Sequence, residues 1–480
     1  MKKILAWIKN NHTFCAYAGL TLLLFGACFS PVFAWLSTGY IIVWAVCARR
    51  ENQLVALILF VNSFYAVLHF EKLWCVTLDM VALGVLTIAL GVHYVIRLVR
   101  KELKPNWKTL IPLTLFVIYA ALPLHYCTWF DAFATLFFLA LLYLVFELRK
   151  HLDFRFVVRA FVIGLIIACA FALLKDVSPL LKVNMVAWSW YDFARFSGLC
   201  YHPNILNSLI MIAICALLLL KYKNKISIWE FVCAFFPLFL FGYLTISRSF
   251  VLYVLVGIAV FAVFNLLKNK IKTLSLLCVI FIAMGAVMGI LWPITQAYLS
   301  RISNETHESF ISQLFADGLD VNISGLESFD NQSSEWQQSV LRGETFFDPG
   351  RSGLFEIYFR DWSSSPKTIW FGRGVSQPKI GQMSAHNLYM QELWKHGIVG
   401  FILYAAIILG AINWKKLKQK LKLYLPMLII MVQYLIVTMI EKCEYDYCCL
   451  IVIMSAMGFL EQLNEENNHL TITSDSEIKS

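Results

Sequence analysis

The feature that most constrains this chain is a series of apolar runs, most of them about 17–22 residues long, separated by clusters of charged residues. A run of that length crosses the hydrocarbon core of a bilayer as a helix, because a helix satisfies its own backbone hydrogen bonds in lipid. Composition favours this interpretation, since 60% of the residues are hydrophobic and 15% are charged, against roughly half and a quarter in soluble proteins. The sequence therefore predicts an all-α polytopic membrane protein.

About fourteen runs fit a membrane span by length and apolarity. They lie at Phe14–Phe29, Val32–Cys47, Leu54–Phe70, Trp74–Ile96, Leu110–Tyr126, Phe130–Phe146, Phe156–Leu174, Asn204–Leu220, Ile228–Ile246, Phe250–Leu267, Leu274–Trp292, Asn387–Ile412, Leu423–Ile440 and Tyr447–Leu460.

Basic residues mark one side of these runs. They precede the first run and follow each even-numbered run up to the twelfth, at Lys2, Lys3, Lys9; Arg49, Arg50; Arg97, Arg100, Lys101, Lys104, Lys108; Arg149, Lys150, Arg155; Lys221, Lys223, Lys225; Lys268, Lys270, Lys272; and Lys415, Lys416, Lys418, Lys420, Lys422. Because basic loops stay on the cytoplasmic side, both termini are predicted to be cytoplasmic. The net charge of +10 then reflects topology, and nucleic acid is not expected as a partner.

The predicted organisation has five parts. Residues 1–174 form N-terminal transmembrane helices, and 175–292 form helices joined by two short outer connections. Residues 293–385 are a large polar loop on the outer face with short helices, and 386–460 return to the membrane. The polar tail 461–480 is predicted to be a disordered cytoplasmic segment. The large loop has no cysteine, so no disulfide framework is expected there.

Two short outer connections each carry an arginine. Arg195 follows an aromatic stretch that an interfacial belt would explain equally well, but a belt does not explain Gly198 or the His202-Pro203-Asn204 sequence beyond it. Arg248 lies in a tight Ser-Arg-Ser turn between two runs. It is either an anchor that snorkels to the bilayer surface or a ligand for a phosphate group, which its planar fork of donors suits.

The large loop contains further candidates. A turn at Asp348-Pro349-Gly350 precedes a predicted helix that begins at Arg351, with Leu354, Phe355, Tyr358 and Phe359 on one face. The serines before Pro366 end that helix, and Gly372-Arg373-Gly374 is predicted to be a tight turn. The loop favours arginine where the inner connections favour lysine, as forked recognition of an anion would.

The large loop ends at His386-Asn387, where the chain re-enters the membrane. A lone histidine is more often structural than catalytic. At the mouth of a span on the outer face, however, a neutral imidazole can accept a proton near physiological pH. His396 lacks that surface position, and we interpret it as a packing residue. The role of 301–338 is not explained by any pattern.

In this order, these segments resemble the O-antigen ligase/polymerase superfamily of bacterial membrane glycosyltransferases. The resemblance covers roughly Arg195 to Leu409 and rests on Arg195-x-x-Gly198 with His202-Pro203-Asn204, Ser247-Arg248-Ser249, Arg351 ahead of Leu354-Phe355, Trp370-x-Gly372-x-Gly374, and His386-Asn387 with Gly397-x-x-Gly400. It implies a GT-C-type architecture in the bacterial cytoplasmic membrane, with the active site on the outer face. It also implies a polyprenyl-pyrophosphate-linked glycan donor, a glycan acceptor and no metal or other cofactor.

The resemblance suggests a role for each site residue. Arg248 and Arg351 are expected to bind the pyrophosphate, with Arg195 as a supporting anion contact, while cationic groups offset the charge of the leaving group. His386 is expected to be the general base for the acceptor hydroxyl, and Asn387 to orient the acceptor or the loop. Direct displacement of this kind inverts the anomeric centre.

Three functions remain open on sequence grounds. The favoured one is a polymerase that joins polyprenyl-linked repeat units of O-antigen, capsule or exopolysaccharide, with a chain-length regulator as a possible partner. The second is a ligase that moves the finished chain to lipid A-core. The third is a flippase or transporter of lipid-linked oligosaccharide, against which the scarcity of charges within the runs counts.

Overall fold

The computed structural model describes residues 12–69, 71–73, 76–121, 129–176, 196–200, 203–245, 248–266, 349–374, 387–410, 423–440 and 446–477, with isolated positions between 274 and 289 and at 421. Its helices, in chain order, are α1 (His12–Ala27), α2 (Pro31–Cys47), α3 (Glu51–Asn62), α4 (Tyr65–His69), α5 (Leu78–Val99), α6 (Trp107–Ala121), α7 (Trp129–Leu148), α8 (Phe154–Asp176), α9 (Pro203–Tyr222), α10 (Ile228–Leu244), α11 (Arg248–Leu266), α12 (Pro349–Ser363), α13 (Pro366–Phe371), α14 (Leu388–Gly410), α15 (Leu428–Ile440) and α16 (Asp446–Glu477).

The protein is almost entirely helical, as the sequence predicts. Within the described part of the chain, four helices are long and apolar enough to cross a membrane: Leu78–Val99, Phe154–Leu174, Asn204–Tyr222 and Tyr447–Glu466. The other predicted runs with described residues fall on shorter helices or on helices described in part. The all-helical class is therefore confirmed, and these four helices are consistent with a membrane protein by length and composition. The number of spans remains a prediction.

The third apolar run differs from the single span that the sequence predicts. It is split into α3 and α4, and the side chain of Ser63 at the break bonds back to the carbonyl oxygen of Leu59 at 3.2 Å. The amide of Ala66 donates to the carbonyl oxygen of Leu199 at 2.8 Å. A two-stranded antiparallel hairpin, β1 (Lys72–Leu73) and β2 (Val76–Thr77), follows. The Ala66 amide has a hydrogen-bond partner outside the helix, in the distant segment that contains Leu199. The break therefore leaves this amide satisfied.

Helix α9 lies at the centre of the fold. Every residue from Ile205 to Leu220 is buried, and a helix that is hydrophobic on all sides is expected to be covered by others. Its first residue is Pro203, which suits the first turn of a helix because its missing amide hydrogen would have no partner there.

Ion pairs gather several basic connections at one end of the bundle. Glu51, at the start of α3, pairs with Arg97 near the end of α5 at 2.6 Å. Arg155 and Arg159 at the start of α8 pair with Glu230 at the start of α10, at 3.1 and 2.6 Å. Connections that the sequence assigns to one side of the membrane are thus joined through their side chains.

The same end holds a 3₁₀ turn at Arg149–His151, between α7 and α8. Burial lowers the pKa of His151, and the positive charges of Arg97 and Lys150 lower it further, while the carboxylates of Glu51 and Glu102 oppose them. His151 is therefore favoured in its neutral form within this charged end.

Helix α16 corrects one expectation about the C-terminal tail. The sequence predicts disorder over 461–480, but the helix continues to Glu477. The reason lies in side-chain contacts that the apolar pattern does not reveal. Glu461 pairs with Arg149 at 3.3 Å, Glu465 pairs with Lys150 at 2.5 Å, and the Gln462 side chain donates to the carbonyl oxygen of Lys150 at 2.6 Å. These bonds hold the helix to the charged end.

The loop helices α12 and α13 lie toward the other end. Helix α6 begins beside the end of α14, where the Asn106 amide donates to the carbonyl oxygen of Gly410 at 3.4 Å. Near its other end, the Tyr119 hydroxyl lies 3.1 Å from the carbonyl oxygen of Phe371 at the end of α13. About 20 Å of helix separate residues 106 and 119. The loop helices are thus remote from the Asn106–Gly410 contact.

Candidate functional site

The segment after Arg195 docks on the end of helix α10. The amide of Phe196 donates to the carbonyl oxygen of Leu244 at 3.1 Å, and the Phe196 ring stacks on Phe241 with centroids 5.8 Å apart. Leu244 ends α10, four residues before Arg248, which begins α11. The backbone that precedes Arg248 and the backbone that follows Arg195 therefore meet, although about fifty residues of chain separate them.

Gly198 has a backbone conformation that suits glycine. Its φ is +58°, in the left-handed region that L-residues with a side chain rarely adopt. A Cβ atom there would lie 3.2 Å from Leu206 of α9. The thiol of the nearby Cys200 lies 3.8 Å from the carbonyl oxygen of Ser63. The glycine of the Arg195-x-x-Gly198 pattern thus lets residues 196–200 turn tightly against α9 and the break between α3 and α4.

The connection between α10 and α11 is tight, as the sequence predicts. Thr245 turns back to bond the carbonyl oxygen of Gly242 at 2.7 Å, and α11 begins at Arg248. A Cβ atom on Gly242 would lie 2.2 Å from the buried ring of Phe250. The absence of a side chain at Gly242 allows this ring, two residues after Arg248, to lie against α10.

The predicted helix at Arg351 is confirmed. It extends from Pro349 to Ser363, with Arg351 as its third residue. The chain then turns at Ser365, whose side chain accepts a bond from the Thr368 amide while the Thr368 hydroxyl accepts one from the Ser365 amide. This capping box satisfies two amides at the start of α13. The serine-rich stretch therefore ends one helix and begins the next.

The apolar face predicted for α12 divides in two. Tyr358 is fully buried and meets the ring of Trp394 edge-on, with centroids 5.0 Å apart. Phe355 and Phe359 are exposed and stack on each other at 6.4 Å. One side of α12 thus packs on α14, while a neighbouring strip of aromatic surface remains uncovered by the described part of the chain.

The predicted turn at Gly372-Arg373-Gly374 is confirmed and fits into a break in α14. Gly372 and Gly374 have φ values of +74° and +98°, and Gly397 within α14 has a φ of +61°. A Cβ atom on Gly372 would lie 2.3 Å from the carbonyl oxygen of Lys395, and one on Gly397 would lie 2.4 Å from that of Trp370. The two backbones therefore touch where side chains cannot fit.

The break at Gly397 frees carbonyl groups, and the protein satisfies three of them. The amide of Arg373 donates to the carbonyl oxygen of Trp394, and that of Gly374 to the carbonyl oxygen of Lys395, both at 2.9 Å. The Tyr119 hydroxyl donates to the carbonyl oxygen of His396 at 2.7 Å. A helix break in a membrane protein requires such replacement partners. The turn and the kink thus form one structure.

His396 agrees with its interpretation as a packing residue. It is buried, its ring meets Phe116 edge-on with centroids 5.0 Å apart, and its Nε2 atom lies 3.3 Å from a carboxylate oxygen of Glu392.

Asp361 links the turn to helix α14 through its side chain. Arg373 donates to both of its carboxylate oxygens, from Nε at 2.9 Å and from a terminal nitrogen at 2.6 Å. The indole nitrogen of Trp394 donates to the same carboxylate at 2.6 Å. Arg373 therefore serves an internal ion pair, and Arg360 pairs with Glu356 at 2.6 Å. Two of the loop arginines thus have carboxylate partners within the protein.

Asn387 caps helix α14. Its side-chain oxygen accepts a bond from the amide of Met390 at 2.9 Å, and its carbonyl oxygen accepts one from the amide of Gln391 at 3.0 Å. An asparagine in this position satisfies an amide that would otherwise lack a helical partner. Asn387 therefore fixes the first turn of the helix directly after His386.

The predicted site residues are described to different extents. Arg195 and His386 lie outside the described residues, as do the side chains of Arg248 and Arg351, whose backbones begin or lie within helices. The structure joins the neighbours of Arg195 to those of Arg248. It also joins the helix of Arg351 to the helix that Asn387 caps. The roles of the four charged residues remain predictions.

Sequence reasoning did not find Asp361, Trp394 or Tyr119. No sequence pattern distinguishes Asp361 from Glu356 on the same helix, and nothing in the sequence connects Tyr119 with a loop roughly 250 residues later. Over the part of the chain that the structure describes, no group of three or more His, Cys, Asp or Glu residues could hold a metal ion.

Comparisons with protein-family models and with curated proteins find no match for this chain.

Proposed function

We propose that this chain is a glycosyltransferase that joins polyprenyl-pyrophosphate-linked oligosaccharide repeat units into a surface polysaccharide, such as O-antigen, capsule or exopolysaccharide. The observation that supports this most directly is the hydrogen bond from the amide of Phe196 to the carbonyl oxygen of Leu244, at 3.1 Å. It joins the backbone next to Arg195 to the backbone just before Arg248. Arginines that start from adjoining backbone are suited to share one pyrophosphate, because each guanidinium offers a planar fork of donors.

The proposed setting is the bacterial cytoplasmic membrane, with about fourteen spans, both termini inside and a GT-C-type architecture. The division of the bundle into two ends supports it. Basic connections meet through ion pairs such as Glu51–Arg97 and Arg155–Glu230 at one end. The contact between α13 and Tyr119 lies about 20 Å from the start of α6. The predicted active site would therefore face away from the cytoplasm.

The proposed reaction is a direct displacement. The oxygen of an acceptor hydroxyl forms a bond to the anomeric carbon of the donor's first sugar, while the bond from that carbon to the pyrophosphate breaks. Polyprenyl pyrophosphate leaves with the electron pair, and the anomeric centre inverts. His386 would take the proton of the attacking hydroxyl, which requires a neutral imidazole. The capping of α14 by Asn387 supports this role, since it fixes the turn that directly follows His386.

Arginines would supply the electrostatic part of the catalysis. Arg248 and Arg351 would bind the pyrophosphate oxygens, with Arg195 as a further contact, and would stabilise the charge that develops on the leaving group. These cations would supply the positive charge that a divalent metal supplies in many phosphate sites. The proposed reaction therefore involves no metal, no nucleotide and no other cofactor. Its substrates are the lipid-linked donor and the glycan acceptor, in contact with membrane lipids and with a chain-length regulator as a possible partner.

Purified protein in detergent, supplied with a lipid-linked repeat unit, tests the proposal. We expect products of two or more repeats, and we expect His386→Ala and Arg248→Ala to abolish them. Arg360→Ala is the control, because Arg360 is an arginine of the large predicted loop that ends before His386, and its side chain pairs with Glu356 on the surface of α12. Normal product from either site variant would refute the assignment of that residue.

The other two functions give different results. A ligase would leave long chains on the lipid carrier when its gene is deleted, whereas loss of a polymerase leaves single-repeat products. A flippase or transporter would form no new glycosidic bond in detergent, where there is no membrane to cross.

A further inference from the structure

Asp361 has an unusual set of partners for a loop carboxylate. It accepts two hydrogen bonds from Arg373, at 2.9 and 2.6 Å, and one from the indole of Trp394, at 2.6 Å. Its side chain is 18% exposed, and Trp394 is buried. Charge-assisted bonds with this bidentate geometry are the stronger kind, and they fix direction as well as distance. Asp361 is thus held by groups from two other elements of the chain.

The partners of Asp361 connect two helices that carry predicted site residues. Helix α12 contains Arg351 and Asp361, ten residues apart. Helix α14 contains Trp394 and is capped by Asn387, the residue after His386. The aromatic contact of Tyr358 with Trp394 adds packing on the same side of α12. Asp361 therefore links the helix of the predicted pyrophosphate ligand to the helix that follows the predicted base.

The backbone beside this link leaves little room for movement. The amide of Arg373 donates to the carbonyl oxygen of Trp394, so Arg373 contacts both Asp361 and Trp394. The carbonyl oxygen of Lys395 would lie 2.3 Å from a Cβ atom on Gly372. The turn cannot slide along α14 without a clash, so the Asp361 side chain joins α12 to a fixed part of the structure.

Small tilts of α12 have large effects at its first turn. Arg351 lies about 15 Å from Asp361 along the helix, at 1.5 Å for each residue. A rotation of about 5° about Asp361 would therefore move Arg351 by about 1 Å. A displacement of this size can reduce a reaction rate by about a hundredfold, because catalysis depends on near-attack geometry.

We propose that Asp361 is a positioning residue for glycosyl transfer, which sets the place of the α12 turn that carries Arg351 relative to the start of α14 by joining the two helices. This inference rests on the proposed function. Asp361 would act through the two helices and not on the reacting atoms, since both of its oxygens accept hydrogen bonds within the protein.

The test compares Asp361→Asn with Glu356→Gln. Glu356 lies on the same helix and forms an ion pair of the same length, 2.6 Å, with Arg360, but that pair stays within the helix and does not reach α14. In full-length protein, we expect Asp361→Asn to lower kcat/KM for the lipid-linked donor by about 10- to 100-fold. We expect Glu356→Gln to leave kcat/KM within about twofold of the original value. Asp361→Asn with the same kcat/KM as Glu356→Gln would overturn the proposal.

A distance measurement separates positioning from a general loss of stability. Spin labels at Phe355 on α12 and Tyr389 on α14, both exposed, report the relation of the two helices. They are best introduced through a non-canonical amino acid, because the chain has 13 cysteines. Asp361→Asn should broaden or shift the distance distribution, and Glu356→Gln should not. An unchanged distribution in Asp361→Asn would also contradict the proposal.

A milder variant covers the case in which Asp361→Asn fails to fold. Trp394→Phe removes one hydrogen bond and keeps an aromatic ring against Tyr358. We expect a broader label distance and a fall in kcat/KM of about 2- to 10-fold. A Trp394→Phe protein that matches the original in both measurements would refute the link.

The outcomes distinguish this inference from the function on which it rests. If His386→Ala and Arg248→Ala are inactive while Asp361→Asn is fully active, the positioning role is wrong and the function stands. If His386→Ala and Arg248→Ala are both active, the proposed function fails, whatever the label distances show.

Discussion

The hydroxyl of Tyr119 donates a hydrogen bond to the carbonyl oxygen of His396 at 2.7 Å. This bond connects helix α6 to the point where α14 breaks, and it satisfies a carbonyl group that the kink removes from the helical pattern. Its two residues are 277 positions apart in the chain. The bond therefore ties the kink to a helix from the first third of the protein.

Replacing Tyr119 with phenylalanine should destabilise the protein by about 1–3 kcal/mol, because the carbonyl group of buried His396 would lose its partner. Thermal unfolding in detergent measures this. Tyr17→Phe is the control, since the buried Tyr17 hydroxyl has no hydrogen-bond partner among the described residues. Tyr17→Phe should be neutral or slightly stabilising, and equal losses in the two variants would contradict the importance of the Tyr119 bond.

The contact between the two glycines should not tolerate a side chain. Gly397→Ala would put a Cβ atom 2.4 Å from the carbonyl oxygen of Trp370, in a residue with a φ of +61°. We expect little folded protein on size-exclusion chromatography after extraction. Gly39→Ala is the control, because a Cβ atom there would meet nothing within 4 Å of it. In the middle of α2, alanine should stabilise the helix by about 0.5–1 kcal/mol. A well-folded Gly397→Ala protein would show that the kink can relax.

Two neighbouring ion pairs at the charged end should differ in their contribution to stability. Arg149 and Glu461 are largely buried, whereas Lys150 and Glu465 are about half exposed. Arg149→Ala should cost about 3 kcal/mol, because it leaves the Glu461 carboxylate buried without its cation. Lys150→Ala should cost less than about 1 kcal/mol, since water screens an exposed pair. Chemical unfolding in mixed micelles measures both, and similar losses would show that the burial of Glu461 does not matter.

His151 should make stability depend on pH near neutrality. Its pKa is lowered in the folded protein by burial, by Arg97 and by Lys150, despite the nearby carboxylates. The folded state therefore disfavours its protonation, and the contribution to stability is present above the ordinary pKa of about 6.5 and is lost as the pH falls below it. Between pH 7.5 and 5.5, unfolding temperatures should fall more in the original protein than in His151→Gln. The same fall in both would assign the effect to other groups.

Local patterns in the sequence predict much of what the structure contains. The left-handed glycines at 372 and 374 follow from the Gly-Arg-Gly turn, and α12 follows from the apolar spacing after Arg351. Both depend on residues close together in the chain. The helical class follows equally directly from run length, because lipid leaves few alternatives for the backbone.

Features that depend on distant partners were not predictable. The break of the third run after Asn62 depends on a hydrogen bond to Leu199, and the ordered start of the tail depends on Arg149 and Lys150. The pairing of Asp361 with Trp394 also joins separate elements. In each case the residues near the site are compatible with more than one local structure, and a contact from elsewhere in the chain selects one of them.

The kink at Gly397 has a consequence for any motion of this part of the protein. Its freed carbonyl groups are satisfied by Arg373, Gly374 and Tyr119, and in the predicted span that begins at Asn387, lipid would offer no substitutes for these donors. Separating α14 from α6 or from the turn would leave these carbonyl groups without partners, at a cost of several kcal/mol for each group in hydrocarbon. For the proposed glycosyl transfer, we therefore expect substrate to enter and product to leave at other boundaries of the protein, while α6, the kink and the turn keep their contacts.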